Sequence, residues 1–339
     1  NENKQSINIL GATSGDTGAA AIEGFKNVES AKIFILHPYN KISEVQRKFM
    51  TTIKSENVFN IAIKGSFDDC QNIIKKIFSD NDYKKEKSLT AINSINWSRI
   101  MCQMVYYFYT LSRIKSKDKK VLFSVPTGNF GDILAGYISK KMGLKIDMLN
   151  IATNDNDILT RTLMTGRHQL QGVIETTSPS IDIQISSNFE RLLYDITQDS
   201  NYVSNLMNEL KRTGKYTLKE NDLITMRKSF CSYSVSEEES ANIIKNTFEK
   251  YKVIIDPHTA VGLSSAQKCD KEYDIMITLS TAHPAKFKDT VSNLLHNEEF
   301  ITKKVSNILK LDENMTILDN DIDVVRNFIT GNIWWERFY

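Results

Sequence analysis

Residues 125–132 of this chain read Val125-Pro126-Thr127-Gly128-Asn129-Phe130-Gly131-Asp132. Two glycines let the backbone approach a ligand with no Cβ in the way. The small-residue pattern that follows, Ile133 to Ile138, reads as a helix. Its first backbone N–H groups would lack partners and carry the positive end of the helix dipole. Such a turn is either a phosphate cradle or an ordinary strand-to-helix connection. A second turn of similar build is Gly11-Ala12-Thr13-Ser14-Gly15-Asp16-Thr17-Gly18. Its hydroxyls suit a carboxylate or phosphate, while Asp16 could equally be a first-turn acid that favours the helix dipole. A third stretch, Asn93-Ser94-Ile95-Asn96-Trp97-Ser98-Arg99, puts amide, hydroxyl and guanidinium groups at a helix start. That set is either a helix cap or a second anion site, with arginine offering a planar fork to phosphate.

These residues need elements to hold them. The apolar run Val121–Val125 predicts a buried strand into the first turn, and Ile7–Leu10 predicts one into the second. Further strands are expected at 31–36, 58–63, 145–152, 253–255 and 275–279. Helical patterns alternate with them at 42–54, after Ser66 or Asp68 as cap, and from Trp97 to about Lys115. Alternation of this kind predicts an α/β chain with a mainly parallel sheet. The run Tyr106-Tyr107-Phe108-Tyr109 reads as core packing. Residues 153–157 read as a helix cap, not a metal loop, because calcium-loop spacing is absent. Residues 199–250 read as helical, with Glu237–Glu239 on a solvated face. Two late turns, Asp256-Pro257-His258-Thr259 and Ser280-Thr281-Ala282-His283-Pro284, follow predicted strands, where open α/β sheets bind ligands. The Thr281 hydroxyl could meet a heterocyclic nitrogen or cap a helix. The polar run Lys115–Lys120 marks a domain boundary, giving a smaller domain at 1–114 and a larger one at 115–339.

The chain has 339 residues, 41% hydrophobic and 25% charged, with a net charge of +2. No basic excess exists to meet nucleic acid or a membrane surface, so neither is an expected partner. No apolar run is long enough to span a bilayer. The cysteines at 70, 102, 231 and 269 show no paired spacing, which fits a reducing, cytoplasmic setting and no metal. A nicotinamide cofactor is disfavoured. The glycines do not follow GxGxxG, and the strand at 31–36 ends at His37-Pro38 with no acid for a ribose. Residue 1 is Asn and the first strand starts almost at once, which predicts that an N-terminal part is missing.

Taken in order, GATSGDTG, NSINWSR, VPTGNFGD, SPSIDIQISSNFERLL, DPHTAVG and TAHPAKF resemble the threonine synthases of fungi and many bacteria. The likeness runs from residue 1 to about residue 300. It implies a pyridoxal 5′-phosphate enzyme with two open, mainly parallel sheets flanked by helices, the tryptophan-synthase-β-like fold (PLP fold type II). It implies conversion of O-phospho-L-homoserine and water to L-threonine and phosphate, the last step of threonine biosynthesis. By this resemblance Gly128, Asn129, Phe130, Gly131 and Asp132 match the cofactor-phosphate loop, and Thr281 the residue at the pyridine nitrogen. Asn93, Ser94 and Arg99 match the substrate-phosphate site. Ser14, Asp16 and Thr17 match the loop facing the substrate carboxylate and cofactor ring. Closure of the smaller domain over the larger would keep out water.

The resemblance departs in one place. The family's Schiff-base lysine stands in an Ala-Phe-Lys-Asp motif a few tens of residues before GATSGDTG, and no such motif occurs here. Lys286 is no substitute, since the family has its own lysine there. The expectation is a lysine upstream of Asn1, with this stretch inactive alone. The alternatives are a phospho-lyase giving 2-oxobutyrate from the same substrate, and a non-catalytic relic that binds cofactor or phosphate. A monomer or a homodimer is expected.

Overall fold

A computed structural model describes residues 6–13, 15–93, 95–116 and 118–333. In chain order its strands are β1 Ile7–Ala12, β2 Ala31–Pro38, β3 Val58–Lys64, β4 Leu89–Ala91, β5 Val121–Pro126, β6 Met148–Thr153, β7 Arg167–Gln169, β8 Lys215–Thr217, β9 Phe230–Ser234, β10 Ile275–Thr278 and β11 Thr316–Asp319. Backbone contacts gather the chain into two compact units, residues 1–93 with 301–339, and residues 94–300.

The first unit is built on a five-stranded sheet in the order β11-β3-β2-β1-β4, every pair parallel. A parallel strand covered on both faces reads as an unbroken apolar run. β2 is such a strand, buried from Ala31 to Pro38. Phe34 and Leu36 join one core with Ile61, Ile73, Ile77 and Ile329, while Ile33 and Ile35 join another with Ile9, Ile22 and Met50. The helix Phe67–Ser79 starts at Ser66, which forms a reciprocal capping box with Asp69. β11 comes from near the end of the chain and lies in register with β3, Thr316 against Ile61. Nothing in its sequence marked it as a strand of this sheet.

The second unit carries a four-stranded parallel sheet in the order β10-β5-β6-β9, and a short antiparallel pair β7-β8. Its core gathers Phe123, Leu149, Phe130, Ile133, Leu192 and Phe230. Removing side chains of this size from water contributes about 1.5–3 kcal/mol each. The polar run at 115–120 falls inside this unit, between the helix Trp97–Arg113 and β5.

Several sequence expectations need correction. Of the aromatic run only Tyr107 is buried; Tyr106 and Tyr109 are 55% and 63% exposed, because one helix turns a single face inward. Residues 199–250 are not all helical, since β8 and β9 lie among them and β9 is part of the main sheet. Residues 253–255 form no strand. Asp157 does not cap the helix Ile158–Thr165; it pairs with Arg161 at 2.6 Å. Nor is the Glu237–Glu239 run merely solvated. Glu237 accepts from the Thr177 N–H, and Glu239 closes a capping box with Ser236 and pairs with Lys268.

Candidate functional site

In the second unit, β5 delivers residues 127–131 to its C-terminal end. Thr127 turns the chain by donating its N–H to the Ala152 carbonyl and its hydroxyl to the Val125 carbonyl. Phe130 takes a left-handed conformation with φ 62°, held by its buried ring against Phe189 and Phe230. A non-glycine residue persists there only where its surroundings over-determine it. The helix Gly131–Lys141 then starts with no side chain capping it. Its first-turn N–H groups and dipole thus face the loop without a protein cap.

The segment 178–188 forms the other wall. A Cβ on Gly128 would lie 2.2 Å from the Ser180 carbonyl oxygen, so only glycine allows this approach. The Ser186 hydroxyl donates to the Gly128 carbonyl, and Asn188 donates from backbone and side chain to the Asn129 carbonyl, at 3.1 and 2.9 Å. The Ser187 hydroxyl donates to Asn129 Oδ1 at 3.1 Å, so the N–H donors of that amide point elsewhere. Behind this wall Asn154 donates to Thr176, Ser178 and Asp182. Ser186, Ser187 and Asn188 fall within the motif SPSIDIQISSNFERLL, but no role was read for them one by one. Ser186 and Asn188 hold backbone carbonyls and Ser187 holds the Asn129 side-chain oxygen, contacts that leave no signal of their own in the sequence.

Asp132 follows the loop. Burial raises its carboxyl pKa to about 7, against the opposing pull of Tyr107. The Tyr107 hydroxyl donates to the Asp132 carbonyl at 2.8 Å and lies 3.3 Å from its carboxylate. Tyr107 belongs to the helix Trp97–Arg113, capped by Asn96 through the Ser98 N–H at 3.0 Å. Arg99, Gln103 and Tyr107 are spaced by four and so share one face of it. Gln103 Oε1 comes within 3.4 Å of a Cβ position on Gly131. Arg99 therefore lies on the face turned to the start of the Gly131–Lys141 helix, and burial lowers its pKa.

Thr281 sits just past β10, which pairs directly with β5, Thr278 against Ser124. The parallel pairing brings residues 127–131 and Thr281 to the same sheet edge. Thr281 is exposed and does not cap the following turn; His283 does so by accepting from the Ala285 N–H.

In the first unit the Thr13 hydroxyl accepts from the N–H groups of Gly15 and Gly18, both at 2.9 Å. Gly15 has φ 138°, which L side chains rarely adopt. The helix Asp16–Phe25 follows, and Asp16 Oδ1 accepts from Gln46 Nε2 at 3.1 Å. β4 neighbours β1, so Asn93 stands at the same sheet edge as Asp16 and Thr17. Ser14 and Ser94 lie outside the described residues.

A family model described as "Threonine synthase, C-terminal" matches residues 259–329. The threonine synthase of Pseudomonas aeruginosa is 42% identical over 325 residues, covering 95% of this chain and 69% of that protein. That of Saccharomyces cerevisiae is 42% identical over 355 residues, covering 96% and 69%. A crystal structure of PLP-bound threonine synthase from Brucella melitensis superposes with a TM-score of 0.93 at 43% identity, covering 98% of this chain and 72% of that one. A serine racemase from Dictyostelium discoideum has a TM-score of 0.54 at 16% identity, a likeness of fold alone.

Proposed function

The chain belongs to the threonine synthase family, and from that premise we propose that it converts O-phospho-L-homoserine and water to L-threonine and phosphate with pyridoxal 5′-phosphate as cofactor. The observation that carries the cofactor assignment is the uncapped helix start at Gly131 behind a Gly128 backbone that no side chain could replace. The donors fit a phosphate: first-turn N–H groups, the dipole and the Asn129 amide.

When bound, the cofactor supplies an electron sink that makes protons beside the substrate amine acidic. This chain's residues do the rest of the positioning. Residues 128–132 would hold the cofactor phosphate. The Thr281 hydroxyl would meet the pyridine nitrogen, where a neutral partner favours the unprotonated ring and a carboxylate would favour the protonated one. By the family resemblance Arg99, Asn93 and Ser94 would hold the substrate phosphate, the group that leaves. A guanidinium can meet two phosphate oxygens in one plane, which a lysine cannot reproduce. By the family resemblance Ser14, Asp16 and Thr17 would serve the substrate carboxylate and the cofactor ring. Two anion-binding regions suit a reaction in which cofactor and substrate each bring a phosphate.

In sequence the substrate-side residues fall within 1–114 and the cofactor-phosphate loop within 115–339, although Arg99 shares its compact unit with that loop. All four cysteines are free, which supports a cytoplasmic setting, in a monomer or homodimer. No helix of the described residues is long and apolar enough to cross a membrane. The test is product analysis with O-phospho-L-homoserine and pyridoxal 5′-phosphate, run on a chain that carries the family's Ala-Phe-Lys-Asp motif. Phosphate and L-threonine in equal amounts are expected. Ammonia with 2-oxobutyrate would make the protein a phospho-lyase, and binding of cofactor without turnover would leave a binding protein.

A further inference from the structure

Asp256, His258 and Thr259 open the helix Pro257–Gln267, and all three are buried. Asp256 Oδ1 accepts from the His258 N–H at 2.9 Å and the Thr259 N–H at 3.3 Å, which caps the helix. The same carboxylate lies 3.2 Å from His258 Nδ1. On its other side His258 Nε2 accepts from the Ser180 N–H at 3.1 Å. Both contacts fix one tautomer: the proton sits on Nδ1, towards Asp256, and Nε2 is the acceptor. The Ser180 held in this way is the residue whose carbonyl oxygen closes on Gly128.

The same helix start reaches a second place. The Thr259 hydroxyl donates to Asp256 and lies 3.4 Å from the Ser280 hydroxyl, next to Thr281. One turn further on, a Cβ on Gly262 would lie 2.9 Å from Pro126 and 2.9 Å from Thr278, at the ends of β5 and β10. The helix is thus pressed onto the two strands that lead into the loop at 127–131 and into Thr281.

We propose that the Asp256–His258–Thr259 start of this helix is a bracket that sets the distance between the two ends of the cofactor's site, with His258 as the positioning residue for its phosphate end. This rests on the reading of residues 128–132 as the phosphate loop. His258 acts through Ser180 on Gly128 and touches no ligand itself. Thr259 acts through Ser280 at the ring end. A network that only stabilised the fold would, when broken, weaken every ligand alike.

The variants separate the two roles. His258→Phe keeps a ring against Phe287, whose centroid is 4.8 Å away, and deletes the acceptor. His258→Gln keeps an acceptor oxygen. Equilibrium dialysis measures the affinity of each protein for pyridoxal 5′-phosphate and for pyridoxal, which lacks the phosphate. His258→Phe is expected to lose about tenfold in affinity for the phosphorylated ligand, the scale of one positioned hydrogen bond. It should keep its affinity for pyridoxal, and His258→Gln should recover most of the loss. Equal losses for both ligands, or none, overturn the proposal. Should His258→Phe not fold, His258→Asn makes the same comparison, since its shorter amide withdraws the acceptor from Ser180. A wild-type protein that binds both ligands equally overturns the phosphate-loop reading itself, and that outcome is seen before any variant is made.

Discussion

The Tyr107 hydroxyl donates to the backbone carbonyl of Asp132 at 2.8 Å, which ties the middle of one helix to the first turn of the next. The ring also lies against Gly136, where a Cβ would come within 2.6 Å of it. The Asp132 carboxylate is thereby enclosed at the mouth of the proposed phosphate loop. An ionised acid there would repel a phosphate, and burial disfavours that form.

This has a pH signature. Burial raises the Asp132 pKa from 3.8 to about 7 in the folded protein. The unfolded chain sheds the proton near the lower value, the folded chain near the higher. Stability from this residue is therefore full below about pH 4 and falls as pH rises to about 7. Asp132→Asn removes that fall. Urea midpoints at about pH 4.5 and about pH 7.5 should show the variant gaining on the wild type at the higher pH. Parallel profiles would contradict the assignment.

Arg99→Lys keeps the charge and loses the fork. Binding of O-phospho-L-homoserine should weaken about tenfold or more, roughly 1.4 kcal/mol, with cofactor affinity nearly unchanged. Separate titrations of the two ligands decide it, and equal losses would remove Arg99 from the substrate phosphate.

Gly128→Ala forces a methyl group to 2.2 Å from the Ser180 carbonyl oxygen. Either the loop or the 178–184 segment must shift, at about 1–3 kcal/mol. Thermal unfolding should show this loss, and binding of pyridoxal 5′-phosphate should fall with it. A variant with wild-type affinity would show that this approach is not needed for binding.

Thr13→Val tests the loop of the first unit. Valine has nearly the same shape but cannot accept the Gly15 and Gly18 N–H groups. Leaving them unpaired should reduce stability by about 1–3 kcal/mol. Thr13→Ser, which restores the acceptor, should recover most of it in the same denaturation assay.

The sequence made the two glycine turns legible because a strand, a glycine turn and a helix start are all local events. Val121–Pro126 and Gly131–Lys141 lie close to their predicted bounds. β9 was hidden because Phe230–Ser234 is five residues between helical runs, with no clean alternation. β11 was hidden for another reason: its partner β3 lies about 255 residues earlier, and such pairing leaves no local mark. In the site, Gly128, Asn129 and Thr281 stood out by type and position. Ser180, Ser186 and Asn188 did not: Ser180 acts through its own backbone N–H and carbonyl, and the other two by holding backbone carbonyls of the loop.

β11 also sets an order of completion during synthesis. β3 leaves the ribosome early, with one edge of N–H and C=O groups unmatched, a template for any passing strand. Its partner Thr316–Asp319 follows only after the whole 94–300 unit has been made. At the usual pace of translation that interval is on the order of ten seconds to a minute. The later unit is thus complete in sequence before the earlier one, and until β11 arrives the edge of β3 is open to pairing with a neighbouring chain.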